Sequence, residues 1–570
     1  MAIDSEHAAT ICQLVEGMPL AVELAAGWTQ FMTLAQIVAQ LQGGLPVLAT
    51  HLRDVPNRHR SLEALFDQSW RLLTVPQQAV WMRLGVFRSA FDSHAAAAIA
   101  DADLATLREL VDKSLVRVDG RGHYELHALA RQYAEQQLVA AGAAAAARLR
   151  HANYYFALAQ QSASQEHPPD GESRWDRVEA AYPHLRAAWQ SAVAARQWRS
   201  LWQVAPSLFS FWQQRGFWAE GRDMLRVAVG VGQADESPEY ALTLIALMAM
   251  LSRTGHQVEA LRYGEEGYQR ALNTEDPYTI GMAEVYFALL IDDLATREAR
   301  FQAATAAGNQ ANNRRLLALV SFMHGDLLRE QGALAQAHAC YTESLTHARA
   351  LRDVDLTIYP LGNLGRLALL DGALDRAAAI FAECVAMART HGAPSALVDW
   401  LLMLGIAQAY QHNPLVVRAT LTECVTLAEE LDHWFSLPRA RAWLAAATLQ
   451  SGDITAVDEV LQLSLAGYAA RLHGFESVHP SSAELVEVLV VTAHIFTAQE
   501  RFEKAAIMIG CAETLGADPH ALVDPFLLIM ADKVRKHLAQ TTAPAALQQA
   551  FTRGRATSAL ACVTATLSDG

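Results

Sequence analysis

The histidines and cysteines of this sequence do not form the spaced patterns on which catalytic and metal sites are usually built. His123 and His127 stand four residues apart, but they flank a predicted junction between a strand and a helix instead of sharing one helical face. The six cysteines include no C-x-x-C pair, and the sequence contains no G-x-S-x-G or H-E-x-x-H motif. We therefore expect neither a catalytic site nor a metal site in this chain.

The lysines likewise exclude a nucleotide-binding P-loop. Such a loop needs G-x-x-x-x-G-K-[ST], because its backbone amides hold the phosphates and its lysine neutralises their charge. None of the four lysines, Lys113, Lys504, Lys533 and Lys536, follows a glycine. The sequence thus predicts a chain that is not an enzyme and that holds no cofactor of its own.

Eight charged or aromatic residues are better candidates for binding a ligand, because they recur at related positions of successive predicted helices. They are Asp326, Arg329, Glu330, Tyr359, Arg366, Asp399, Tyr410 and Arg439. Charged and aromatic groups that converge in a groove commonly form a specific site. We expect Arg366 and Arg439 to bind the ligand without supporting the fold. The alternative is that all eight are ordinary solvated residues of helices.

A repeat of forty residues must position these side chains. Each of the glycines Gly325, Gly365 and Gly405 is followed, sixteen residues later, by a large apolar residue. These residues are Tyr341, Phe381 and Leu421. A small residue, a turn and a large apolar residue at this spacing predict a helical hairpin whose two helices touch at the glycine.

Looser copies of the pattern extend the repeat in both directions, with anchors at Phe209, Met248, Ala288, Ala445 and Ala493. Their spacing predicts about eight hairpins, which resemble tetratricopeptide repeats although the usual period is about 34 residues. In such arrays the first helix of each hairpin lines the concave face, where we place the eight candidates. An irregular helical array without superhelical order is the alternative.

A different pattern precedes the repeats, between Ser61 and Leu138. Apolar residues at helical spacing predict three helices, and the segments Ser114–Val118 and Tyr124–Leu126 then alternate as strands around the turn Asp119–Gly122. A last helix begins after His127. Three helices with a two-stranded wing predict a small winged-helix domain.

Two short segments in this region are more specific. The first is Gly17-Met18-Pro19-Leu20-Ala21, and the second is Leu126-His127-Ala128-Leu129-Ala130-Arg131. Both resemble the signal-transduction ATPases with numerous domains (STAND proteins), a group that includes NB-ARC-type immune receptors and the large LuxR-type regulators of bacteria. Weaker similarity continues through Ala180–Trp189, Phe211–Gly216 and Ala505–Glu513.

The resemblance implies that Pro19 packs against the adenine of a bound nucleotide and that His127 touches the β-phosphate of ADP. ADP or ATP is expected only in a full-length protein, because the phosphate-binding core is missing here. The chain is then the C-terminal part of a larger switch protein. Its predicted parts are a helical-domain remnant (1–55), the winged-helix domain (56–150), a helical bridge (151–200), the repeat superhelix (201–520) and a C-terminal helical cap (521–570).

By the same resemblance, the repeat arm binds an inducer, which is a small molecule, a peptide or a protein. The winged helix then relays this event to the protein's own nucleotide-binding core. One alternative is a constitutive scaffold for protein–protein interaction. Another is a DNA-binding regulator, although Arg108 and Lys113 on the candidate recognition helix stand beside Asp103, Glu109 and Asp112.

Composition favours a well-packed cytoplasmic protein without membrane or nucleic-acid partners. Apolar residues make up 52% of the 570 residues, and the net charge of −15 gives no general attraction to anionic lipids or nucleic acid. The N-terminus lacks a secretory signal, and no apolar run reaches the length of a membrane span.

We predict that the purified chain neither hydrolyses ATP nor binds it at micromolar concentration. The loop that would provide most of the affinity is absent, and Pro19 and His127 alone would offer few contacts. Isothermal titration calorimetry tests this directly. Saturable binding of ADP or ATP that is lost in His127→Ala would contradict the prediction.

Overall fold

The computed structural model describes residues 5–14, 22, 25–26, 29, 32–43, 62–164, 173–232, 234–291, 293–411, 414–431, 433, 436–449, 454–474, 482–517 and 523–568. These residues form 29 α-helices and one two-stranded sheet, so the predicted mostly helical fold is confirmed. Pro19 lies outside the described residues, and its contact with adenine stays a prediction. None of the described helices is both long and apolar enough to cross a membrane.

The structure separates into two compact units. The first comprises Met1–Ser162 and Arg177–Val204, and the second comprises Ala163–Asp176 and Ala205–Gly570. The finer division into five parts stays a prediction.

Helices of very different length and the small sheet make up the first unit. In chain order the elements are α1 (Ser5–Leu14), α2 (Leu34–Gly43), α3 (Leu62–Arg71), α4 (Val75–Leu84), α5 (Ser93–Ala100), α6 (Leu104–Asp112), β1 (Arg117–Val118), β2 (Tyr124–Glu125), α7 (Ala128–Ala140), α8 (Ala144–Ser164), α9 (Asp176–Ala180) and α10 (Tyr182–Ala194). Phe66, Trp81 and Tyr133 pack together in its core, with ring centroids 5.5–6.3 Å apart. The elements follow the order predicted for a winged helix, and that identity stays a prediction.

The two strands are shorter than predicted, and the local backbone explains why. Ser114 adopts a positive φ of 59°, which turns the chain back towards α6. The N–H groups of Leu115 and Val116 then donate to the carbonyl of Leu110, so they are not available to a strand partner. Pairing is limited to Arg117 with Glu125 and Val118 with Tyr124.

An additional backbone contact was not predicted. Tyr124 and Phe91 exchange two backbone hydrogen bonds, at 2.7 and 2.9 Å, which form an isolated antiparallel bridge. The loop before α5 is therefore joined to the small sheet. A single residue pair of this kind leaves no alternating pattern in the sequence.

The second unit contains an α-solenoid of eight described helical pairs, the first of which begins at Trp198 within the first unit, followed by three further helices. The pairs are α11 (Trp198–Arg215) with α12 (Trp218–Val231), α13 (Pro238–Arg253) with α14 (Gln257–Asn273), α15 (Pro277–Ala288) with α16 (Leu294–Gln310), α17 (Arg314–Glu330) with α18 (Leu334–Ala350), α19 (Val354–Leu370) with α20 (Leu374–Thr390), α21 (Pro394–Tyr410) with α22 (Pro414–Glu430), α23 (Leu437–Thr448) with α24 (Ile454–Gly474), and α25 (Ser482–Ala498) with α26 (Phe502–Gly516). The last three helices are α27 (Pro525–Thr541), α28 (Pro544–Arg555) and α29 (Ala559–Ser568).

The glycine anchors of the repeat lie against the large side chains that were predicted to face them. A Cβ atom added to Gly365 would lie 2.7 Å from the ring of Phe381, whereas ordinary contacts between carbon atoms are about 3.5–4.0 Å. The same close approach occurs in the repeats on either side, for Gly325 with Tyr341 and for Gly405 with Leu421. The predicted crossing of the two helices at the glycine is confirmed.

A second contact repeats with the same period and joins the same two helices. Nineteen residues after an anchor, a hydroxyl or thiol on the second helix donates to a backbone carbonyl 26 residues earlier, on the first helix. The pairs are Ser344 Oγ with Ala318 O (2.7 Å), Cys384 Sγ with Ile358 O (3.6 Å), Cys424 Sγ with Val398 O (3.4 Å) and Ser464 Oγ with Pro438 O (2.6 Å). The two cysteines, expected only as small core residues, are therefore also donors.

Small and large residues exchange places in one of the outer repeats. Met248 occupies an anchor position, and a Cβ atom added to Gly264, sixteen residues later, would lie 2.9 Å from its Cγ. The glycine is now on the second helix, yet the two helices still approach closely. This exchange explains why this repeat matches the glycine pattern poorly.

The helices after the last pair are held by a close contact between backbones. A Cβ atom added to Gly510 of α26 would lie 2.5 Å from the carbonyl oxygen of Phe551 on α28. Gly554 of α28 in turn packs against the backbone of Ile507 on α26. The final helices therefore pack directly on the last helical pair.

We predict that Gly365→Leu lowers the free energy of unfolding by about 1–3 kcal/mol through overpacking against Phe381. Gly230→Leu is the matched control, because Gly230 lies in α12 and an added Cβ would meet no atom within 4 Å. Urea denaturation of both variants measures the difference. Equal stability of the two variants would show that the crossing at Gly365 is not tightly packed.

Candidate functional site

The first helices of successive pairs line a cavity of about 630 Å³ within the second unit. Its wall extends from Gln213 on α11 to Glu484 on α25, with α17 and α19 contributing half of the lining residues. A volume of this size is typical of a pocket for a small molecule or a short peptide segment. The cavity therefore lies on the helix face where we predicted a ligand groove.

The structure brings seven of the eight predicted residues to this cavity. They are Asp326, Arg329, Glu330, Tyr359, Arg366, Asp399 and Arg439. They come from α17, α19, α21 and α23, so residues up to 113 positions apart line one space. Whether the cavity binds a ligand stays a prediction.

Tyr410 is the exception, and its placement corrects the prediction. Its ring stacks on Phe526 at a centroid distance of 5.2 Å, and its hydroxyl donates to Asp524 Oδ2 at 3.1 Å. Both partners belong to the region of α27, more than 110 residues later in the chain. The repeat pattern carries no information on this helix, which covers the end of α21.

Aromatic rings from three consecutive pairs form one wall of the cavity. The ring centroid of Tyr359 lies 6.1 Å from that of Phe322 and 6.0 Å from that of Trp400. Burial raises the pKa of the Tyr359 hydroxyl, so it is a neutral hydrogen-bonding group at physiological pH. The three rings, on α17, α19 and α21, offer a continuous apolar surface to a ligand.

The acidic residues of the cavity are already engaged by the protein. Asp326 accepts hydrogen bonds from the Tyr341 hydroxyl at 2.6 Å and from Asn363 Nδ2 at 2.7 Å. Asp399 accepts from the Ser436 hydroxyl at 2.8 Å. These carboxylates are thus held in place by hydrogen bonds within and between helical pairs.

A further acidic residue of the cavity, Asp355, belongs to a buried ion cluster. Its carboxylate lies 3.0 Å from Arg174, which also lies 3.2 Å from Asp353. Arg315 approaches Asp353 at 2.8 Å. Because each of these carboxylates faces at least one guanidinium, Asp355 is better explained by the fold than by a ligand.

Arg439 is also engaged by the fold, which changes the expectation for this residue. Its Nε and one Nη atom each donate to the Glu487 carboxylate at 2.6 Å, and Trp443 Nε1 donates to the same carboxylate at 2.6 Å. Burial opposes the charge of Arg439, but the ion pair with Glu487 outweighs it and raises the pKa of the guanidinium. Arg439 therefore supports the second unit even though it lines the cavity.

Arg366 differs from Arg439, because the described part of the chain offers it no acidic partner within ion-pair distance. Its Nε is buried without a hydrogen-bond partner, and its guanidinium lies 5.4 Å from the ring centroid of Trp400. Burial, together with the positive charges of Arg329 and Arg439, lowers the pKa of Arg366. A guanidinium nevertheless stays protonated in proteins.

Several cavity residues were missed by the repeat analysis. Phe322 and Trp400 lie on first helices, three and five positions before an anchor, but only charged residues and tyrosines were predicted to line the groove. The sequence signal that marks them is a large aromatic residue on a first helix. Arg297 lies on the second helix α16, where the concave-face rule does not apply.

His127 lies in the first unit, at the N-terminus of α7. Its Nδ1 accepts a hydrogen bond from the backbone N–H of Leu129 at 3.2 Å, so the side chain caps the helix. The side chain is buried, with a relative exposure of 6%. The predicted contact with a β-phosphate stays a prediction.

Comparison with known sequences finds partial similarity. No protein-family model matches the chain. The Mycobacterium tuberculosis (strain ATCC 25618 / H37Rv) protein "Putative HTH-type transcriptional regulator Rv0890c" is 35% identical over 223 residues, which cover 37% of this chain and 25% of that protein. "Uncharacterized protein Rv0894" of the same strain is 34% identical over 164 residues, which cover 26% of this chain and 42% of that protein. The chain thus spans about a quarter of the length of the first of these relatives.

Two solved structures have weak overall similarity. One is a STAND protein with a tetratricopeptide repeat sensor, PH0952 from Pyrococcus horikoshii, with a TM-score of 0.48 and 11% identity, covering 90% of this chain and 74% of that one. The other is Rap protein complexed with competence and sporulation factor, with a TM-score of 0.40 and 9% identity, covering 60% of this chain and 99% of that one. At these TM-scores neither likeness establishes a shared fold or function.

We predict that Arg439→Ala lowers the free energy of unfolding by about 3–5 kcal/mol, because it leaves Glu487 buried without its cation. Arg389→Ala is the control, since the Arg389–Glu423 pair has the same 2.6 Å separation but both side chains are about half exposed; its loss should cost less than about 1 kcal/mol. Urea denaturation compares the two variants. Equal losses would mean that the Arg439–Glu487 pair is not structural.

Proposed function

We propose that this chain is the sensor and regulatory portion of a STAND-type signalling protein, in which the helical repeats bind an inducer. The observation that carries the proposal is the cavity of about 630 Å³, which is lined by first helices of successive pairs. Charged, polar and aromatic side chains meet there around one space. A ligand in this position would contact several pairs at once.

Binding across several pairs provides a physical route for a signal. Neighbouring pairs contact each other through their own interfaces, so the geometry of a solenoid is the sum of small rotations between repeats. A ligand shifts such a protein between two arrangements only if it binds one arrangement better than the other. We propose that the inducer favours one arrangement of α17, α19 and α21, and that the winged-helix region relays this to a nucleotide-binding core.

Two lines of similarity support the regulatory part of the proposal. The segments around Pro19 and His127 resemble the motifs of STAND proteins, and a curated relative is named as an HTH-type transcriptional regulator. The matched residues form only part of that relative, so a regulatory activity of this chain is a proposal. The chain itself is proposed to have no catalytic activity.

A constitutive scaffold is the main alternative. A scaffold would hold its partners through the outer surfaces of the helices as well as through the cavity, and filling the cavity would have little effect on it. Exposed apolar residues such as Val258 and Leu415 are available for such contacts on second helices. The two functions therefore differ in how strongly they depend on the cavity.

DNA binding is a second alternative, favoured by the name of the curated relative. The exposed surface of α6 gives it little support, because the Arg108 side chain lies 4.0 Å from Asp112, and Gln77 hydrogen-bonds to the neighbouring Glu109. A recognition helix normally presents unpaired basic and amide side chains to the groove. A gel-shift assay at low ionic strength tests this alternative.

We predict that Met323→Trp, which fills the cavity from α17, abolishes retention of the inducer. The purified chain is incubated with a cell extract filtered to remove macromolecules, and native mass spectrometry then detects bound compounds. The matched control is Ala335→Trp, which adds the same ring at an exposed position of the second helix α18. The control should retain the same compound as the wild type.

Two results would count against the sensor proposal. One is that the wild-type chain retains no compound from extracts of cells grown under a range of conditions. The other is that Met323→Trp and Ala335→Trp retain the same compound equally well, because binding would then not involve the cavity. Circular dichroism of both variants verifies that the helices are intact.

A further inference from the structure

We infer that Arg366 binds a carboxylate group of the ligand, and that the ligand carries an apolar or aromatic body next to this group. The inference rests on the proposed function, because it specifies the chemistry of the same cavity. It starts from a difference between the arginines that line the cavity. Most of them face an acidic side chain, whereas Arg366 does not.

Three of the other four arginines that line the cavity have compensating carboxylates. Arg439 is paired with Glu487 at 2.6 Å, Arg329 lies 3.8 Å from Asp326, and Arg297 lies 3.8 Å from Glu330. Within the described residues, the Arg366 guanidinium has no carboxylate within 4 Å. The nearby acids Asp326 and Asp399 already accept hydrogen bonds from Tyr341, Asn363 and Ser436.

A second group without a partner lies beside Arg366. The Nε1 of Trp400 is buried and has no hydrogen-bond partner among the described residues; the side chain is 1% exposed and lines the cavity. Buried N–H groups are nearly always hydrogen-bonded, because an unpaired one loses its bonds with water. Two neighbouring side chains therefore lack acceptors, and the oxygens of one ligand carboxylate would provide them.

The geometry favours a single carboxylate over a group of higher charge. The planar guanidinium fork matches the two oxygens of a carboxylate. Asp326, Glu330 and Asp399 line the same cavity, and they would repel a dianionic phosphate more strongly than a monoanion. The ring wall of Phe322, Tyr359 and Trp400 begins at Arg366 and would contact the apolar part of the ligand.

The carboxylate could belong to a small organic acid or to the C-terminus of a peptide. Two pairs of probes separate these sources. The first pair is N-acetylphenylalanine and N-acetylphenylalaninamide, and the second is the tetrapeptide Ala-Ala-Ala-Phe with a free or an amidated C-terminus. Within each pair only the carboxylate changes. Saturation-transfer NMR and calorimetry with the full chain measure binding.

We expect the acid of at least one pair to bind at least tenfold more tightly than its amide. If only the tetrapeptide shows this preference, the source is a peptide C-terminus, and if N-acetylphenylalanine shows it, the source is a small acid. Arg366→Met should remove the preference for the acid, and Arg366→Lys should retain part of it, because the charge is kept but the planar fork is lost.

A measurement without any ligand tests the same inference. Because Arg366 has no counter-ion among the described residues, Arg366→Met should leave the melting temperature unchanged or raise it. Arg439→Met is the control, and it should lower the melting temperature because Glu487 loses its partner. A lowered melting temperature in Arg366→Met would identify Arg366 as a structural residue and overturn the inference.

Two other results would also overturn it, namely equal binding of acid and amide in both pairs, and no binding of either acid. The proposed function is tested separately. If Arg366→Met retains the extract-derived compound while Met323→Trp does not, the carboxylate site is refuted and the sensor function stands. If the wild-type chain retains nothing, the sensor function itself is refuted.

Discussion

The close crossing of two helices within each pair is the constraint on which the rest of the second unit depends. In the central repeats the crossing is set by a glycine on the first helix and a large apolar side chain sixteen residues later, as in Gly365 against Phe381. A hydroxyl or thiol three residues further on hydrogen-bonds back to the first helix, as Cys384 does to Ile358. The packing contact fixes the distance between the helices, and the hydrogen bond fixes their register along the axis.

This crossing also decides which side chains reach the cavity. With the small residues and the hydrogen bond facing the second helix, the opposite side of the first helix must face away from its partner. Tyr359 and Arg366 are not among the buried residues of α19, although most of this helix is buried. Because the first helix is oriented in the same way against the second helix in each pair, equivalent positions of α17, α19 and α21 lie on one surface. A periodic packing rule therefore produces a continuous wall.

The charges in the cavity serve two physical roles. Arg439 and Asp355 neutralise partners that are buried in the second unit, so their removal would leave an isolated charge. Arg366 has no such partner in the part of the chain that the structure describes. A charged group that is costly to bury and unpaired is more consistent with binding than with stability. Pairing thus distinguishes Arg439, which supports the fold, from Arg366, for which we propose a role in binding.

Sequence alone determined the repeat and the face of the first helices, because both depend on residues within one period of forty positions. The anchors Gly325, Gly365 and Gly405, and seven of the eight groove residues, follow from this local periodicity. Only the tertiary structure decided which charges are neutralised, since Glu487 lies 48 residues from Arg439. It also decided that Tyr410 contacts a later helix instead of the cavity, since Asp524 lies 114 residues further along the chain. It also decided how long the strands are, because Ser114 turns the chain and directs the next two N–H groups to Leu110. Such contacts join segments from different periods or depend on one backbone angle, and neither leaves a repeating signal in the sequence.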